Sequence, residues 1–247
     1  MRWDNDIYRS KFGFKTQHGL ELAAQVKPVR GKLLELGSET GILSYQLWKL
    51  EYQVEGIEFD SRLVDMARRT TAKSVFFEAF TDDVMLYEDT YPMAIANDVI
   101  HRIPAEHQED FLNNLFRSMK QEGQMAFDMG VSGNNEVIED ALRAAFEAEG
   151  RTYRGFYYPD AEEYKNMLRK AGFTVEYAKV IERPEKVSGE DGMEWYIEMF
   201  CRDMFRRIDD EMVGRIVSKA VNALKPQLFD GEKWTIPAVR MIGKVVK

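Results

Sequence analysis

Lys32-Leu33-Leu34-Glu35-Leu36-Gly37-Ser38-Glu39-Thr40-Gly41 reads as a short apolar strand running into a glycine turn. From Ile42 onward, apolar residues fall at Leu43, Leu47 and Leu50, the spacing of a helix. Leu33, Leu34 and Leu36 suit an inner parallel strand covered on both faces. Gly37 and Gly41 permit a tight bend and a close backbone approach to a ligand. Strand, glycine turn and helix together present backbone N–H groups to a ligand. Residues 52–58 read as the next strand, with Glu58 at its end. A carboxylate there accepts hydrogen bonds from both hydroxyls of a ribose. The first half of the chain is therefore expected to hold an adenosine.

The glycine pattern narrows the ligand. A dinucleotide site asks for G-x-G-x-x-G, but Glu39 and Ile42 occupy the second and third glycine positions. A carboxylate at 39 repels a pyrophosphate, which disfavours a nicotinamide oxidoreductase. Glu35-x-Gly37-x-x-x-Gly41 instead resembles the first motif of class I S-adenosylmethionine-dependent methyltransferases. That resemblance implies S-adenosyl-L-methionine as cofactor, with Glu35, Gly37, Ser38, Glu39 and Gly41 around its methionine end. It puts Glu58 on the ribose, with Phe59 following. Glu39 either reaches the cofactor's ammonium group or crowds the site and signals lost activity.

Composition bounds the rest. The 247 residues are 45% hydrophobic and 31% charged, ordinary for a soluble globular protein. Against 42 acidic residues stand 34 basic ones, a net −8 that argues against nucleic acid or anionic membrane as a partner. One cysteine, Cys201, excludes an internal disulfide framework and fits a cytoplasmic protein. No apolar run reaches membrane-spanning length, and three scattered histidines show no metal-ligand spacing.

Along the chain, residues 1–30 form an N-terminal helical segment, with a helix over about 17–26 ended by Pro28. Its Tyr8 and Phe14 either pack this segment onto the sheet or close over the cofactor as a lid. After a helix at 61–69, residues 74–80 read as the third strand. Related enzymes place an adenine-binding aspartate at its end; here Thr81 and Asp82 stand nearby, or Phe80 stacks on the adenine. Residues 93–98 read as the fourth strand, with Pro92 at its start, where proline is tolerated.

The family pattern "F-D-x-h-x-x-N-x-x-L-H-x-h" (h for apolar) is matched at Asn97 and His101, which adds Asn97 and Asp98 to the cofactor residues. His101 is the candidate general base, since imidazole titrates near neutral pH; the alternative is a packing histidine. An amphipathic helix over 106–121 with Gly123 as C-cap precedes a fifth strand at 124–128. Residues 115–123 are similar to the "L-x-R-x-L-K-P-G-G" segment of the family.

Gly130-Val131-Ser132-Gly133-Asn134, Tyr157-Tyr158-Pro159-Asp160 and Lys170-Ala171-Gly172-Phe173 resemble a bacterial subgroup similar to trans-aconitate methyltransferase. Strand 173–181 follows, then a helical insertion over 189–228 and a returning strand over 233–246. The insertion's apolar stripes are expected to cap the acceptor pocket. Tyr8, Tyr157, Tyr158, Trp195 and Arg240 are the candidate substrate residues, with Arg240 suited to pair an acceptor carboxylate.

The expected fold is α/β, a Rossmann-like seven-stranded, mostly parallel sheet with helices on both faces. The resemblance implies that its last strand is antiparallel and inserted beside the fifth. The chain is read as one methyltransferase domain over 1–247: 31–130 hold the cofactor, and 131–188 with 229–247 complete the sheet. The expected activity is methyl transfer to a small molecule, a carboxylic acid among the candidates, with a homodimer as the candidate assembly. The alternative is a methyltransferase fold that is catalytically silent and acts through bound cofactor or a protein partner.

Overall fold

A computed structural model describes residues 3–78 and 87–247. The strands are β1 Lys32–Leu36, β2 Gln53–Glu58, β3 Val75–Glu78, β4 Tyr91–Asn97, β5 Met119–Gly130, β6 Thr174–Glu182, β7 Glu185–Ser188, β8 Lys233–Ile236 and β9 Val239–Val246. The helices are α1 Asn5–Lys11, α2 Gly13–Ala23, α3 Ile42–Lys49, α4 Ser61–Thr70, α5 Gln108–Ser118, α6 Glu136–Ala148, α7 Ala161–Lys170, α8 Gly192–Phe200 and α9 Asp210–Leu228. They form two compact units. A sheet unit takes Phe14–Ser132, Tyr157–Ile181 and Arg240–Lys247; a helical unit takes Met1–Gly13, Gly133–Phe156 and Glu182–Val239.

The sheet unit holds seven strands in the order β3-β2-β1-β4-β5-β9-β6. β1 pairs in parallel with β2 and β4, and β9 runs antiparallel to β5. This is the expected Rossmann-like arrangement. Central strands must be apolar on both faces, and β1 accordingly buries every residue after Lys32. One face packs Leu33, Val54, Ile95 and Ala126 against Leu22 of α2 and Leu47 of α3. On α4, Leu63, Val64 and Ala67 turn inward, and Val64 and Ala67 meet Phe76 of β3. Asp60 caps that helix by accepting the Arg62 amide.

Several local expectations shift. The N-terminal segment holds two helices rather than one, and α2 starts and ends earlier than the proline signal suggested. α5 stops at Ser118, and Gly123 lies inside β5 rather than capping the helix. Both β4 and β5 start earlier than expected, and Pro92 is the second residue of β4, at the register shift between Tyr91 and Met93.

The helical unit was read as an insertion of two helices, yet α6 belongs to it as well. Ile138, Leu142 and Phe146 of α6 pack along α9, which buries Val213, Ile216, Ala220 and Leu224. Glu149, just past α6, pairs with Arg215 Nε at 3.0 Å and Lys219 Nζ at 2.6 Å on α9. α1 sets Tyr8 and Phe12 against Phe200 of α8. The expected single returning strand is two. β8 pairs with β7 in a separate antiparallel sheet, and only β9 joins the large one. Pro237 falls between them, where a missing N–H ends the ladder. No helix among the described residues is long and apolar enough to cross a membrane.

Candidate functional site

Ligands of open α/β sheets bind beyond the carboxyl ends of the strands. There the sheet unit gathers three of its buried acids: Glu35 near the end of β1, Glu58 closing β2, and Asp128 toward the end of β5. Asn97 closes β4 and Asp98 follows it.

The glycine turn after β1 is shaped by backbone conformation. Gly37 and Gly41 have φ of +74° and +75°, a region open to glycine. A Cβ at Gly37 would lie 2.6 Å from Val99 Cβ, and one at Gly41 would lie 3.1 Å from Ala67 Cα. The turn's amides do not stand free, as the sequence suggested. Gly37 and Ser38 both donate to Ile57 O, Glu39 donates to Glu58 Oε2, and Gly41 donates to Ser38 O, each at 2.9 Å. A loop that serves no phosphate satisfies its own donors. What it leaves unmet are side-chain atoms: Glu35 Oε1 and Ser38 Oγ are buried without a hydrogen-bond partner.

Glu58 is 2% exposed and accepts three backbone amides, from Glu39, Phe59 at 2.9 Å and Asp60 at 3.1 Å. The carboxylate thereby ties the end of β2 to the glycine turn, and a ribose would share it with these amides. Glu35 receives the Ser44 hydroxyl of α3. Burial, reinforced by Glu39 and Glu58 and opposed by Ser44, raises its pKa to about 8. Glu39, itself at φ +47°, meets Arg102 at 3.9 Å.

A second cluster follows β4. Asp98 sits in the left-handed region at φ +57° and meets Lys15 of α2, Arg240 Nη2 of β9 at 2.6 Å and His101 Nε2 at 3.7 Å. Arg240 Nε also donates to Asp128 at 2.6 Å. Two buried cations thus face the buried Asp128 and the partly exposed Asp98. Burial works to raise the Asp98 carboxyl, but the Arg240 and Lys15 cations hold it well below the usual range. Asn97 donates to the Lys15 carbonyl at 2.9 Å, anchoring α2 to the strand end. His101 is buried, and its Nδ1 accepts the Gly130 amide at 3.2 Å. Burial drives its pKa well below the ordinary histidine value; Asp98 opposes this, and Arg240, Arg102 and Lys15 add to it. The loop is braced from behind: Gln108 donates to Ile100 O and Ile103 O, and Tyr164 donates to Gln108.

Of the expected substrate residues, Tyr158 stacks on His101 at 5.3 Å, and the Tyr157 amide donates to His101 O. Arg240 was expected to await an acceptor carboxylate; here Asp98 and Asp128 occupy its guanidinium. Tyr8 and Trp195 belong to the helical unit, Tyr8 stacked on Trp3 and Trp195 donating to Asp191. Thr81 and Asp82, with Phe80, lie outside the described residues. Sequence reading missed Lys15, Arg102 and Asp128. Only Asp128 carried a signal, as an acid at a strand's carboxyl end. Among the described residues no three His, Cys, Asp or Glu side chains gather to hold a metal.

The chain matches the methyltransferase-domain family over residues 9–178. It belongs to that family. An uncharacterized methyltransferase of Schizosaccharomyces pombe is 23% identical over 184 residues, covering 70% of each chain. Among solved structures, the YcgJ protein of Bacillus subtilis superposes with a TM-score of 0.61 at 11% identity, over 95% of this chain and 98% of its own. Phosphoethanolamine N-methyltransferase 2 of Haemonchus contortus, solved with phosphomonomethylethanolamine and S-adenosylhomocysteine, gives 0.59 at 14% identity, over 98% of this chain and 57% of that one. The glycine cradle with two unmet polar atoms fits a polar ligand such as S-adenosylmethionine.

Proposed function

We propose that this methyltransferase moves a methyl group from S-adenosylmethionine to a small acceptor that arrives deprotonated, a carboxylate being the simplest. The observation carrying this reading is the buried Glu58 carboxylate at the end of β2, tied to the glycine turn by the Glu39 amide and fixed by the Phe59 and Asp60 amides beside it, where the family resemblance puts a ribose. When bound, the cofactor supplies a methyl on a sulfonium, an electrophile whose leaving group needs no assistance. The protein's work is alignment and exclusion of water. Glu58 holds the ribose hydroxyls, and Glu35 and Ser38 serve the polar atoms of the methionine end. His101 orients the strand-end loop through Gly130 and Tyr158. Its engaged Nδ1 is what favours an acceptor that asks for no base.

Tyr8, Tyr157, Tyr158 and Trp195 remain candidates for acceptor binding, tested by substitution with KM as the readout. The resemblance to the trans-aconitate subgroup supports an acid acceptor, and the single buried Cys201 supports a cytoplasmic setting. Calorimetry with S-adenosylmethionine and S-adenosylhomocysteine tests the cofactor. Labelled methyl transfer to a pool of carboxylic acids, with a matched pool of amines and alcohols, tests the acceptor class. No heat with either ligand sinks the proposal; transfer only to amines or alcohols sinks its acceptor half.

A further inference from the structure

Glu35 stands apart from the other acids of the site. Asp98 and Asp128 are paired with cations, and Glu58 accepts three amides. Glu35 is 1% exposed, receives one hydroxyl from Ser44, and leaves Oε1 without a partner. Opposite it in the sheet lie Gly56 of β2 and Ile95 of β4, which bring no charge. The charges acting on it are Glu39 and Glu58, both negative, and Arg102 reaches only as far as Glu39. A buried carboxyl in that field keeps its proton until a positive charge arrives.

S-adenosylmethionine brings such a charge: its sulfonium and ammonium outnumber its carboxylate by one. Resting on the function proposed above, we infer that binding of the cofactor expels a proton from Glu35. The Glu35 O–H bond breaks, both electrons stay on the carboxylate, and the proton passes to the buffer. The carboxylate then stands against the bound cation, and Oε1 gains the partner it lacks. His101 does not contribute, because it is already neutral at these pH values. Since the Glu35 carboxyl titrates at about 8 before binding, the exchange falls near physiological pH.

Calorimetry of the full chain with S-adenosylmethionine at pH 7.5, in buffers of differing ionisation enthalpy, counts the protons released. The expected count is roughly three-quarters of a proton per cofactor, vanishing above about pH 9.5. Affinity should rise roughly tenfold between pH 6.5 and 8 and then level off. Glu35→Gln, which mimics the protonated carboxyl in shape, should bind with no buffer dependence. Should that variant not fold, the pH profile of proton release in the unaltered protein decides alone. Heat that is the same in every buffer overturns the inference and leaves the methyltransferase reading standing. Absence of heat in any buffer overturns both.

Discussion

The Nδ1 lone pair of His101 accepts the Gly130 amide, leaving the remaining imidazole proton on Nε2, 3.7 Å from Asp98 Oδ1. A general base needs a lone pair aimed at the acceptor's proton, and this one is already shared with the backbone. His101 therefore reads as a neutral brace between the ends of β4 and β5.

His101→Ala should cost stability, because the buried Gly130 amide loses its acceptor; a loss of about 1–3 kcal/mol in urea denaturation is expected. Turnover of the unaltered enzyme should show no limb near the ordinary histidine pKa between about pH 6 and 8. A turnover loss of roughly a hundredfold or more, with such a limb, would restore His101 as the base.

Arg240→Met should be severe, since it takes a buried cation from the buried Asp128 and one of two cations from Asp98. About 3–5 kcal/mol of stability should go. Adding Asp128→Asn to that variant should recover part of it, because the buried charge that faced Arg240 is removed. The paired Asp98 is held below its unfolded value, so its contribution is present above about pH 4 and lost as pH falls further. The stability deficit of the Met variant should therefore shrink as pH falls below about 4, where these carboxylates are protonated in both proteins.

Glu58→Ala should weaken S-adenosylmethionine and S-adenosylhomocysteine together, by roughly tenfold to a thousandfold in calorimetry. Both share the ribose, so their affinity ratio should stay fixed. The variant also frees three amides, so its melting temperature should fall even without ligand. A changed ratio would place Glu58 near the sulfur rather than the ribose.

Glu35 carries the opposite sign from Asp98. Its folded pKa of about 8 stands above the unfolded value, so the native state binds the extra proton between about pH 4.5 and 8. Native stability should decline across that window and flatten above it. Glu35→Gln removes the decline, so its advantage over the parent should grow from nothing near pH 4.5 to a plateau above about pH 8. Equal slopes in the two proteins would mean that Glu35 ionises freely in the fold.

Gly37→Ala should disturb the turn at two levels, through a positive φ and a Cβ 2.6 Å from Val99. The left-handed conformation alone costs about 1–2 kcal/mol. Val99 must also shift, so Gly37→Ala combined with Val99→Ala should lose less than Gly37→Ala alone.

The strand, glycine turn and acid at 58 were legible because each depends on a short window of sequence. α6 was legible too and was passed over: Ile138, Leu142, Ala145 and Phe146 have helical spacing on one face. The run from Lys233 to Val246 misled because both halves alternate like a strand, and Pro237 was the only mark of the break. The charged cluster was out of reach for a different reason. Lys15 and Asp98 are 83 positions apart, and nothing local to either names the other. Such pairings are decided when α2 packs beside β4, a property of the whole sheet.

The placement of β9 between β5 and β6 sets an order on folding. As β6 emerges from a ribosome, its neighbour in the sheet does not yet exist, because the helical segment Glu182–Val239 is synthesised first. A nascent chain in that interval carries two unsatisfied strand edges, β5 and β6, which are open to pairing with other chains. Closing the sheet then requires an eight-residue strand to enter a gap rather than add to a rim. Such long-range closure is slow, which makes it the natural point at which a chaperone or a misfolding competitor would intervene.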